Sequence, residues 1–347
     1  MKIPIMWCVA APLMMAGLAN ARADDPWIGK RVFTQFGTVL RVGNQVVDDE
    51  GRTTSLTVSG RDRAIGRVYR VEQVNGEWLW LQHEKSGVAG WVKSAYVIPY
   101  EQAVEFYTNQ IRANPQANFY NFRGNVWSEK KEYDIAIADY NEAIRTKPGE
   151  AIYFNNRGSA WDNKKDYEKA IADYNEAIRL DPKYASAYYG RGLAWNNKKD
   201  YEKAIADYND AIRLDPKYAM AYRSRGLAWS NKKDYEKAIA DYNEAIRLDP
   251  KYSGAYNGRA WLWATCPDGK FRDGKKAVES ATRACELGEW KDALVLDTLA
   301  AAYAESGDFD KAVEWQEKAH KLSPETDKKE WGKRLDLYKG KKPHRKD

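Results

Sequence analysis

One stretch of this chain occurs three times, and it limits the fold more than any other feature does. Lys164 to Tyr184 reads KKDYEKAIADYNEAIRLDPKY, and both Lys198 to Tyr218 and Lys232 to Tyr252 repeat it with Asp210 as the only change. The step is 34 residues. The same step joins Gly124, Gly158, Gly192 and Gly226, and it joins Trp127, Trp161, Trp195, Trp229 and Trp263. A period of this length marks one supersecondary unit used repeatedly, and a single such unit cannot bury its own apolar face. The 14 Trp and 23 Tyr among the 347 residues are therefore expected to pack between copies.

Within a copy, the spacing predicts two helices. Tyr188, Arg191, Gly192 and Trp195 fall at i, i+3, i+4 and i+7, and Asn196-Asn197-Lys198-Lys199 breaks the pattern. Tyr201, Ala204, Ile205, Tyr208, Ala211 and Ile212 form a second stripe, which Asp215-Pro216 ends because proline cannot continue a helix. Gly192 and Ala204 are small where the two helices must cross closely.

Tyr188, Gly192, Trp195, Ala204, Tyr208, Ala211 and Pro216, in that order, resemble the tetratricopeptide repeat (TPR) family. The resemblance implies a mainly α protein, a TPR α-solenoid whose helix hairpins wind into a right-handed superhelix. Six hairpins are expected over 117–326, at about 117–150, 151–184, 185–218, 219–252, 253–292 and 293–326. In the fifth, Ala260 replaces the glycine and Cys266-Pro267-Asp268-Gly269 lengthens the turn. Residues 100–116 mimic a second helix without its first and should cap the N-terminal face; Trp331, Leu335 and Tyr338 should close the other end within 327–339. The tail, 340–347, is basic and is expected to lack structure.

Residues 27–98 differ in character. Val32, Phe33, Val39, Leu40, Val42, Val46 and Val47 alternate with polar residues and Gly, which predicts short strands, and Asn75-Gly76 between two apolar runs predicts a hairpin. The segment Gly87 to Pro99, with Gly90-Trp91-Val92, resembles bacterial SH3-like domains, implying a small all-β barrel. Members of that family bind cell-wall peptide or polysaccharide or act as spacers. Trp78 and Trp80 share one face by alternation. With Trp91 they serve either the core or a ligand groove.

Residues 1–23 read as a secretory signal, with Lys2, an apolar stretch from Ile3 to Leu18, and Ala21-Arg22-Ala23 before Asp24. The expectation is export to the periplasm or the extracellular space, with no integral membrane segment left after cleavage. Without Lys2 and Arg22, 54 basic residues face 50 acidic ones, a net charge of +4 that is too mild for nucleic acid. If Cys285 lies about ten residues along a helix that begins close to Cys266, a rise of about 1.5 Å per residue separates them by roughly 15 Å, so a disulfide is not expected.

Copies within one chain also show where they differ. In the third hairpin the changing positions are 186, 189, 190, 193 and 196, one face of the first helix, whereas 188, 191, 192 and 195 are kept on the other. The TPR resemblance implies that the changing face lines a concave groove holding extended or helical peptides. Asn121, Asn125, Asn155, Asn156, Tyr189, Asn196, Arg223 and Asn257 would there offer amides, one aromatic ring and one cation to a protein or peptide partner. The competing explanation is neutral drift on a solvated face. The family's carboxylate-clamp subgroup uses two basic residues, and the sequence departs from it because only Arg223 is cationic among these positions.

Arg123, Arg157, Arg191, Arg225 and Arg259 recur beside the small residue, and Asp139, Asp173, Asp207 and Asp241 recur on the second helix. Structural Arg to Asp pairs within hairpins are expected. The Lys pairs that begin at 130, 164, 198 and 232 read as a charge-balanced turn edge.

His83, His320 and His344 lie far apart in the chain, and neither a phosphate loop nor a Gly-x-Ser-x-Gly elbow is present. No catalytic activity and no cofactor or metal are expected. The leading expectation is an exported scaffold that binds a partner protein; the alternative is a cell-envelope module that binds peptidoglycan or glycan through the barrel, with the repeats as spacer.

Overall fold

A computed structural model describes residues 26–34, 68–75, 78–83 and 89–346. The proposed signal segment and the expected strand residues from Val39 to Val47 lie outside the described residues. Chain contacts divide the molecule into two compact units, residues 1–160 and 161–347.

In the first unit five strands, β1 (Arg31–Thr34), β2 (Val68–Asn75), β3 (Trp78–His83), β4 (Ala89–Lys93) and β5 (Val97–Pro99), form an antiparallel sheet in the order β4-β3-β2-β1-β5. Asn75 stands opposite Trp78, the register a tight β2–β3 hairpin requires. Alternation decides which residues face inward: Leu79 and Leu81 are fully buried with Val32, Tyr69, Val71 and Val92, whereas Trp80 between them is half-buried. Leucines of β3, not Trp80, thus fill this side of the sheet. On the other side Phe33 and Ile98, paired across β1 and β5, meet helices α1 (Ala103–Ala113) and α2 (Ala117–Glu129) through Tyr100, Tyr107, Phe122 and Val126. The helix α1 therefore has the sheet on one side and α2 on the other.

The remaining helices alternate as first and second members of hairpins. They are α3 (Tyr133–Thr146), α4 (Ala151–Asn163), α5 (Tyr167–Leu180), α6 (Ala185–Asn197), α7 (Tyr201–Leu214), α8 (Ala219–Asn231), α9 (Tyr235–Leu248), α10 (Ser253–Thr265), α11 (Gly274–Leu287), α12 (Ala293–Glu305), α13 (Phe309–Leu322) and α14 (Glu325–Lys339). Each boundary has a local cause. Asp166, Asp200, Asp234 and Asp308 cap α5, α7, α9 and α13 by accepting the backbone N–H of the residue three positions on, at 3.1–3.3 Å. The turn before each of α3, α5, α7 and α9 places Lys131, Lys165, Lys199 or Lys233 in the left-handed region, at φ 63–65°. In the last hairpin Gly307 takes that place.

Packing follows the small residues. A Cβ on Gly192 would stand 2.7 Å from a ring carbon of the fully buried Tyr208, so the close crossing of α6 and α7 requires glycine there. Within the second unit, the first helices of consecutive hairpins (α6 with α8, α8 with α10, α10 with α12) approach one another more closely than the second helices do. The stack in this unit therefore curves with its first helices on the inside.

The expected Arg to Asp pairs form in the first, third and fourth hairpins. Arg123 to Asp139, Arg191 to Asp207 and Arg225 to Asp241 are two-pronged, with N···O distances of 2.6–2.9 Å. The third guanidinium nitrogen of Arg191 and of Arg225 reaches back to Asn175 and Asn209 of the preceding hairpin at 2.6 Å. Each arginine thus joins two hairpins as well as two helices. In the fifth hairpin Ser280 replaces the aspartate and offers Arg259 a hydroxyl at 3.3 Å, while Asn243 of the preceding hairpin accepts from Arg259 at 2.7 Å. The lysine edge is charge-balanced as read: Lys198 pairs with Glu168, and Lys232 with Glu202 at 2.8 Å. Cys266 and Cys285 are both free and buried.

The C-terminal tail differs from the expectation. It is placed against the ends of α8, α10 and α12 by Lys346, Arg345 and His344, because side chains able to receive basic groups await it there.

Candidate functional site

The changing positions of the first helices divide between the two units, and the two sets behave differently. In the first unit the amides satisfy one another. Asn156 Nδ2 donates to Asn121 Oδ1 at 2.9 Å and to Asn125 Oδ1 at 3.2 Å, and Asn155 Nδ2 donates to Asn156 Oδ1 at 3.4 Å. Tyr140 and Tyr153 hydroxyls donate to Asn125 and Asn118. Asn121 is only 2% exposed, so it joins α2 to α4 instead of facing a partner, which corrects the reading of it as an accessible groove residue.

In the second unit the corresponding face has groups left over. Asn196 Oδ1, Tyr208 OH, Arg223 Nε and Asn257 Oδ1 are buried atoms without a hydrogen-bond partner. Tyr189 lies among them, its ring 5.9 Å from Tyr208 and 5.0 Å from Tyr218, and its hydroxyl 3.4 Å from Ser224 Oγ. Burial raises the hydroxyl pKa of Tyr189, Tyr208, Tyr242 and Tyr252, and the charge of Arg223 pulls each part of the way back. Arg223 is therefore within electrostatic reach of four tyrosines. Asp162 raises Tyr189 and Tyr208 from the other direction and accepts from Asn197 at 3.4 Å. Of the residues singled out by variation, the structure gathers Tyr189, Asn196, Arg223 and Asn257 on one helix row and places Asn121, Asn125, Asn155 and Asn156 in a separate, self-satisfied cluster.

Sequence reading missed Tyr208, Tyr242 and Tyr252 as parts of this surface. Their recurrence every 34 residues marked them as packing, and they do pack. What no pattern signals is that the Tyr208 hydroxyl remains unpartnered at the inner face.

Residues 185–218, 219–252 and 293–326 match the family described as tetratricopeptide repeat, and 163–195 match the description TPR repeat. These segments are tetratricopeptide repeats. No curated protein matches the sequence. Among solved structures the TPR array is similar to the Cut9–Hcn1 hetero-tetramer of the APC/C, with 16% identity, 69% of this chain and 46% of that chain covered, and a TM-score of 0.57. It is also similar to yeast Tom70, with 18% identity, 68% and 50% covered, and a TM-score of 0.52. The chain thus aligns with about half the length of those two proteins. A further match, to YrrB, described as a TPR protein with an unusual peptide-binding site, has 22% identity, covers 56% of this chain and 98% of that one, and has a TM-score of 0.41.

Proposed function

We propose that the TPR array is a non-catalytic scaffold whose inner face in the second unit holds an extended segment of a partner protein. The observation that carries this is the set of four buried, unpartnered polar atoms, Asn196 Oδ1, Arg223 Nε and Asn257 Oδ1 on the first helices and Tyr208 OH of α7 beside them. A buried polar group without a partner costs about 1–3 kcal/mol, so four in one part of the array are best explained by a ligand that satisfies them. Two amide oxygens accept from peptide N–H groups, and a guanidinium and a phenol donate to peptide carbonyls. Three of the four, Asn196, Arg223 and Asn257, stand at positions that differ among the copies.

Selection of linear peptides from a random library against the full chain tests the reading. The expected result is a set of peptides whose affinity falls at least tenfold with Arg223→Ala and with Asn257→Ala. Peptides that bind these variants and the parent chain equally would sink it.

Export belongs to the same proposal, supported by Lys2, the apolar stretch to Leu18 and Ala21-Arg22-Ala23. The front sheet is taken as an SH3-like module on the strength of its five short antiparallel strands and the Gly87 to Pro99 resemblance.

A further inference from the structure

The last residues of α8, α10 and α12 are Asn231, Thr265 and Glu305, the same position in three consecutive hairpins. Helix C-termini carry free carbonyls and partial negative charge, so a row of them favours cationic donors. Glu305 strengthens the row. Its side chain is only 13% exposed and receives Arg272 at 3.1 Å on one oxygen. Arg272 is there because the fifth hairpin has a lengthened turn that carries it from Cys266, whose carbonyl it also binds at 2.9 Å, toward α12.

Three consecutive tail residues meet this row. After α14, Lys341 at φ 55° reverses the chain, with its N–H on Tyr338 O and that of Lys342 on Leu337 O, both at 2.9 Å. The His344 ring then rests 5.6 Å from that of Trp261, which lies at a changing position of α10. Arg345 Nη1 stands 2.6 Å from the second oxygen of Glu305. Lys346 donates its backbone N–H to Thr265 O and its ammonium to Asn231 Oδ1, each at 2.9 Å. Three residues thus reach three hairpins, α8, α10 and α12, through an aromatic contact, an ion pair, bonds to the carbonyls of Ala264 and Thr265, and one amide.

We propose that the ends of α8, α10 and α12 form a binding site for an extended basic peptide of the pattern His-Arg-Lys, which the chain's own tail fills in cis. The site is separate from the Arg223 face in chemistry, since it selects cations where the other presents one. Glu305 keeps Arg272 when the tail leaves, so the receiving carboxylate remains in place for another basic segment. Because the tail is tethered a few residues away, its local concentration is on the order of millimolar, and an outside peptide must outcompete it. A partner with a basic extended segment would displace the tail and free Lys341 to Asp347.

The test uses a labelled peptide, Lys-Lys-Pro-His-Arg-Lys-Asp, and two forms of the protein: the full chain and one ending at Gly340. Fluorescence anisotropy should show saturable binding to the shortened chain at least tenfold tighter than to the full chain. Binding should weaken at least fivefold when Glu305→Gln is added or when the peptide residues that correspond to Arg345 and Lys346 become Gln. Equal affinity for the two chains, or no saturable binding to a shortened chain with the helical circular dichroism of the full one, overturns the proposal. Hydrogen exchange on the unaltered full chain gives an independent reading: the Lys346 amide should exchange at least tenfold more slowly than in the free peptide, and exchange at the free-peptide rate overturns the proposal as well.

Discussion

At the scale of single residues, the arginine beside the crossing glycine does more than balance charge. Arg191 is held by both oxygens of Asp207 and by Asn175, so removing the anion leaves a partly buried cation with one partner in place of two. Asp207 itself is 4% exposed, and burial raises its pKa more than the arginine can lower it. Asp207→Asn keeps the volume and removes the charge; it is expected to destabilise the array by about 2 kcal/mol, read as a lower urea midpoint. An unchanged midpoint would show that the pair contributes nothing. The pairing was legible in the sequence because Arg and Asp recur 16 residues apart. The third bond to the preceding hairpin was not, since Asn175 looks like any polar helix residue until the copies are stacked.

At the scale of the element, the hairpins could be read almost whole, because the apolar spacing, the capping aspartates and the Asp-Pro stops all repeat. The turns could not. Lysine carries no signal for the left-handed region, yet Lys131, Lys165, Lys199 and Lys233 all occupy it; the one hint is Gly307 at the equivalent point of the last hairpin. Lys199→Gly removes a steric penalty of about 1 kcal/mol that is partly offset by the greater freedom of glycine in the unfolded chain. A net gain of about 0.5 kcal/mol is expected as a small rise in Tm, and a fall in Tm would mean that Lys199 makes a compensating contact. The candidate site was half legible for a related reason. Variation among copies picks out Tyr189 and Arg223, but whether an asparagine is open or enclosed depends on the next hairpin, and Asn121 is enclosed by Asn156. The docking of the tail could not be read at all, since five basic residues near a terminus look solvated until Glu305 is found beneath them.

At the scale of the whole molecule, one deeply buried carboxyl makes stability fall as pH rises. Asp297 of α12 is fully buried between Gln316, which donates to it at 2.8 Å, and Arg334, within ion-pair distance at 2.9 Å. Loss of solvent outweighs the arginine and pushes its pKa up to about 6. A carboxyl whose pKa is higher folded than unfolded binds protons preferentially in the folded state, so its contribution is full below the unfolded value near 4 and is lost as pH rises through 6. Relative to Asp297→Asn, the parent chain should therefore lose roughly 2–3 kcal/mol of stability between pH 4 and pH 7. Parallel pH profiles of the two proteins, measured by chemical denaturation, would contradict this assignment.

The near-identity of α7 and α9 also bears on how long such an array can be. Excision of residues 219–252 would leave Tyr208 facing Gly258 where Tyr242 now stands, and Asn209 receiving Arg259 where Asn243 does at present. On the second helices α7 would stand for α9 with Asp210 in the place of Glu244 as the one difference, while on the first helices Ser186, Tyr189, Gly190 and Asn196 would stand for Met220, Arg223, Ser224 and Ser230. Copy number is thus nearly free of structural penalty in the middle of this protein, and gain or loss of one module changes the reach of its inner face without asking the fold for a new solution.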